Sequence, residues 1–130
     1  MIGDSINIKD AFIINLGVEF QVITIPEVNN NQILRTCITL VNNFINTQNT
    51  QINQPIILSQ LEILLDSVTG VQTVKNVIVT NKTDISQGYS SYAYDIDGAT
   101  QNKVIYPSID PMIFEIKFPN LDIKGQVVNL

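Results

Sequence analysis

In "AFIINLGVEFQV" the even positions Phe12, Ile14, Leu16, Val18, Phe20 and Val22 are all apolar, while Asn15, Gly17, Glu19 and Gln21 interrupt the odd ones. A period of two puts the apolar set on one face of an extended chain, because successive strand side chains point to opposite sides. A helix would scatter the same residues around its circumference. The stretch therefore predicts a long half-buried strand, stopped by Pro26, and the rest of the chain has to cover its apolar face.

Two segments have the pattern of such a cover. After "EVNNN", whose asparagines suit the capping of a helix, Ile33, Leu34, Cys37, Ile38, Val41, Phe44 and Ile45 keep a helical period from about Gln32 to Ile45. The polar "NTQNTQINQ" then connects to "PIIL", a brief extended piece. In "SQLEILLDSVTGVQTVKNVIV" a second helix is expected. Ser59 at the N-cap and Glu62 three residues on form the pattern of a capping box. Leu61, Leu64, Leu65 and Val68 make its apolar stripe, and Gly70 is placed to close it with a positive φ. Val71 then opens a β-branched strand over residues 71–80.

The C-terminal half reads mainly as strands. "TNKTDISQGYSSYAYDIDGATQN" is a long connection with only short structure of its own, "KVIYP" a strand broken by Pro107, and "MIFEIKF" and "LDIKGQVV" a last hairpin turned at Pro119 and Asn120. Early helices and late strands predict a single α+β domain over residues 1–130, with two helices packed on one face of a mainly antiparallel sheet. A chain of 130 residues is long enough for one real core and short for two.

Composition removes several functional classes. With no histidine, Ser-His and Cys-His nucleophilic catalysis and imidazole metal sites are excluded. A net charge of −5, without any basic run, argues against a surface for nucleic acid. The single cysteine, Cys37, lies in an apolar helical pattern and reads as a buried thiol. No apolar run reaches the length of a membrane span and the first residues have no secretory pattern, so the protein is expected to stay in a cytoplasm or in a particle built there. No phosphate-binding glycine loop is present, and no cofactor is expected.

Three clusters remain as candidate sites. Asp95 and Asp97 before Gly98 resemble a fragment of a calcium loop, but the further ligands are missing and a backbone-bonding turn is the better reading. The same acids, paired with Asp110 or Glu115, supply the alternative of a small ligand-binding or enzymatic α+β domain working through surface carboxylates. Tyr89, Tyr92 and Tyr94 suit either an interface or the pinning of a long loop to the body. Ile109 and Met112, in the last hairpin, are expected to anchor a neighbouring subunit.

A long strand "INIKDAFIINLGVEFQV", a helix, a polar loop, and then "PIILSQLEILLDSVTGVQTVKNVIV" resemble in order the C-terminal part of the baseplate J-like wedge proteins of contractile-tailed bacteriophages. Ser59, Leu61, Val68, Gly70, Val71 and Val74 stand at the matching positions, and the C-terminal "GATQNKVIYPSIDPMIFEIKFPNLDIKGQVV" is similar to the tails of phage structural proteins. The resemblance implies a structural, non-enzymatic subunit that joins other tail or baseplate proteins in a homo-oligomer or ring. It implies a place in the virion, reached by assembly in the host cytoplasm. Wedge proteins of this type are longer, so the resemblance also implies a C-terminal piece, a split or reduced form of one, or a different small baseplate or neck component.

Overall fold

The computed structural model describes residues 12–47, 53–108 and 111–128. The chain is an α+β domain in which one strand, β1 (Phe12–Thr24), occupies the middle of the main sheet. On one side β1 pairs antiparallel with β3 (Val71–Lys82), from Asn15 opposite Lys82 to Thr24 opposite Val71. On its other side it pairs in parallel with β6 (Met112–Glu115) and then with β7 (Ile123–Val127). A second, small antiparallel sheet joins β2 (Ile56–Ile57) to β5 (Val104–Ile105), and β5 to β4 (Thr100–Gln101).

The even face of β1 is the floor of the core. Ile14, Leu16, Val18, Phe20 and Val22 are all buried, in one cluster with Ile33, Cys37 and Val41 of α1 (Asn30–Asn42) and Leu61 and Leu65 of α2 (Leu58–Asp66). Burial of that many aliphatic side chains, each worth about 1.5–3 kcal/mol, dominates the stability of the fold. The odd face departs from the half-buried expectation, since Asn15, Gly17 and Ile23 are buried too. A strand flanked on both edges and crossed by other segments is covered on part of its second face too, although Glu19 stays exposed.

Asn29 caps α1, its Oδ1 accepting from the backbone N–H of Gln32 at 3.2 Å, and the helix widens into a π-helical turn over Asn43–Thr47. The start of α2 corrects the capping-box expectation. Ile57 holds the N-cap position without a side-chain bond, and Ser59 lies inside the helix. Pairing of Ile56 and Ile57 with β5 sets where the helix begins, and the Leu58 N–H donates across to the carbonyl of Lys103 at 2.7 Å. Glu62 turns outward instead of back, to an ion pair with Lys103 at 2.9 Å.

Helix α2 ends at Asp66, with Ser67 as its C-cap, so Val68 and Gly70 lie beyond it. Gly70 does adopt a positive φ of 99°, but in service of a turn in which the Val71 N–H donates to the Val68 carbonyl at 3.0 Å. A Cβ on Gly70 would also stand 2.5 Å from Cδ1 of Ile33. Val71 opens β3 as the sequence predicts.

The expected last hairpin is not formed. β6 and β7 run in the same direction beside β1, the first along Phe12–Asn15 and the second along Val18–Val22. Between them Pro119 starts a single helical turn, α4 (Pro119–Asp122), which absorbs the extra residues and returns the chain to the same edge. Proline at the first helical position favours that turn, and Pro-Asn lacks the positive-φ pair of a tight hairpin.

Candidate functional site

The connection after β3 is held to the body residue by residue. Asp84 accepts from the Ser86 N–H at 3.0 Å to cap a short 3₁₀ turn over Ile85–Gln87, which Gly88 ends at a φ of 94°. The Tyr89 ring then meets Phe118 edge-on, with centroids 5.4 Å apart, and its hydroxyl donates to Oδ1 of Asp122. Next the Ser90 N–H donates to Oδ1 of Asn15 at 2.6 Å, and the Tyr94 N–H donates to Oδ1 of Asn81 at 2.8 Å. The Tyr94 hydroxyl finally donates to the backbone carbonyl of Tyr106.

Asn15 is the hub of these contacts. It is fully buried, its Nδ2 donates to Oε1 of Glu115 at 3.1 Å, and its own carbonyl accepts from Nδ2 of Asn81 at 2.9 Å. A buried amide is tolerable only when its groups are paired, and here the pairing ties the loop to β1, β3 and β6 at once. Asp122 is less complete. It is 5% exposed, and its Oδ2 finds no partner among the described residues. The carboxylate beside it, together with burial, pushes the Tyr89 phenol up to about 12.

Held in this way, the segment presents aromatic surface at a fixed place. Tyr92 is 49% exposed and packs on Phe12, itself 36% exposed, with ring centroids 4.7 Å apart. Tyr106, tethered through the Tyr94 hydroxyl, is a third open ring at 47%. Of the tyrosines named from the sequence, Tyr89 and Tyr94 are thus the pins and Tyr92 is the exposed surface. Phe12, Tyr106 and the hub Asn15 gave no sign of this in the sequence, because only the fold brings the start of β1 beside residue 92.

The other candidates are placed as follows. Met112 is buried in the core at 5% exposure, so it cannot anchor a neighbour, and Ile109 and Asp110 lie outside the described residues. Asp95 accepts from the Gly98 N–H at 3.0 Å and caps the short α3 (Ile96–Ala99), which is the turn reading of "YDIDGAT". Among the described residues no three His, Cys, Asp or Glu side chains are grouped to hold a metal. Glu115 is engaged by Asn15, and burial lifts the Cys37 thiol to about 11, which keeps it protonated and unreactive at neutral pH. An open groove of about 530 Å³ runs along α1 and reaches Leu64 of α2, with Arg35 as its one charged lining residue. No described helix is long and apolar enough to cross a membrane.

No family model matches the chain, and no curated protein resembles it in sequence.

Proposed function

We propose that this protein is a structural subunit of a contractile-tail baseplate, of the wedge type, which works by binding neighbouring tail proteins in the virion and carries out no reaction. The observation that carries this reading is the Phe12–Tyr92 pair, two large exposed rings, one at the start of β1 and one on a loop whose flanking residues Ser90 and Tyr94 are hydrogen-bonded to β1 and β3. Exposed aromatic surface on a fixed support suits protein contact, since tyrosine supplies area at little entropic cost when its backbone is already ordered. The acidic but weakly charged chain, 15% charged residues in all, lets a partner cover its faces without desolvating many ions.

The test is co-expression with the tail proteins encoded beside it, followed by light scattering on the purified material. The expected result is a defined complex that Tyr92→Ala weakens at least tenfold, the loss typical of a central aromatic contact of about 2 kcal/mol. A chain that stays alone in the presence of every such protein overturns the reading.

A further inference from the structure

β3 is the outermost strand of the four-stranded sheet. Alternate residues of a strand turn their N–H and C=O groups to opposite sides, so β1 satisfies one set and leaves the other facing outward. Beyond its ladder with β1, the only backbone bond from a described residue to β3 is that of the Val71 N–H in the preceding turn. Val79 is the only buried side chain along the strand.

The two halves of this edge differ. In the first half the register passes over Lys75 and Gln72, two bulges that bend the strand and discourage further pairing. From Asn76 to Lys82 the ladder to β1 is unbroken. This half has no proline, and its one charge is at the end, Lys82. Its exposed face shows Ile78 at 46%, opposite Glu19. A cleft of about 350 Å³ opens beside it, walled by Leu58, Val77, Val79, Ile96 and Ile105 with Asp97 as its one charged lining residue, so the neighbouring α3 leaves room along the edge.

We infer that the Asn76–Lys82 edge pairs antiparallel with the same edge of a second copy of this chain. Only extended backbone matches a row of alternating donors and acceptors, and a second β3 carries the identical row, so one two-fold contact completes both edges. Charge favours the same occupant. β3 bears Lys75 and Lys82 and no acidic residue, although the chain as a whole carries −5, so the two paired strands set no carboxylates against each other, the nearest exposed acids being Glu19 across the ladder and Asp97 in the cleft. A two-fold axis through Val79 sets Lys82 opposite Asn76 and Lys75 opposite Thr83, so no two lysines face each other, and it sets Ile78 opposite Thr80. The inference is independent of the baseplate reading and uses a different surface from the Tyr92 pair.

The experiment is light scattering over a concentration series, with amide hydrogen exchange at both ends of it, on the wild type, Ile78→Lys and Tyr92→Ala. Ile78→Lys retains the fold, because the position is exposed and faces Glu19, and it brings two lysines together diagonally across the axis. The expected result is a reversible dimer in which alternate amides between Asn76 and Lys82 slow their exchange as concentration rises. Ile78→Lys weakens that dimer roughly tenfold or more and Tyr92→Ala leaves it intact. A wild type that stays monomeric, a dimer whose β3 amides exchange as fast as in the monomer, or an undiminished Ile78→Lys dimer overturns it.

Discussion

Asp122 makes the fate of one hydroxyl decisive. With its Oδ2 unpartnered among the described residues, the Tyr89 hydroxyl is the side-chain bond that compensates this buried carboxyl group. Tyr89→Phe leaves both oxygens without that donor, and a loss of about 1–3 kcal/mol is expected in denaturant unfolding. The same contact sets an alkaline limit. The phenol titrates near 10 when unfolded and near 12 when folded, so both states hold the proton below pH 10. Between about 10 and 12 the unfolded state releases it first, and stability falls as pH rises. Unfolding curves across that window should show the decline, and Tyr89→Phe should flatten it. Gly70 is the other residue that admits no easy replacement. Gly70→Ala meets both a φ of 99° and the Ile33 methyl at 2.5 Å, and should cost about 1–3 kcal/mol in the same assay. Both Gly70 and Cys37 were legible in the sequence, since a positive φ and an apolar helical period leave local marks. Asp122 and Asn15 were not, because their partners lie 33 and 75 residues away.

Among the elements, the two helices show where local pattern prevails and where it yields. Asn29 caps α1 as the asparagines before it suggest, whereas Ser59 has the right pattern in the wrong place, because the β2–β5 pairing starts α2 at Leu58. Two substitutions separate these roles. Asn29→Ala should lower thermal stability by about 1 kcal/mol, and Ser59→Ala should stay within about 0.5 kcal/mol of the wild type. The reverse order would restore the capping box. β1 was readable because its alternation runs unbroken from Ile14 to Val22. The broken strand β6–α4–β7 was not, since period-two patterns on either side of a proline look the same whether the chain reverses or steps aside and continues. Met112 was misplaced for the same reason. A hairpin would have left it at a rim, while parallel pairing with Phe12 puts it in the core.

At the scale of the molecule, the α+β class followed from the order of patterns, but the central position of β1 and the mixed direction of the sheet did not, because strand order is decided by long-range pairing. The arrangement concentrates rigidity. A largely buried strand carries the core on one face and on the other a buried asparagine that ties the long loop down, and the exposed Phe12–Tyr92 pair sits at the end of that frame. Such a body is suited to meeting neighbours in a fixed orientation, which is what a ring of tail subunits requires. The most direct test of the baseplate proposal is electron cryo-microscopy of the particles produced by the genome that encodes this chain, for which a contractile tail is expected. The account predicts density for this fold in the baseplate, with the Phe12 and Tyr92 rings covered by an adjoining subunit. A baseplate without this fold, or with that aromatic face open to solvent, would contradict it.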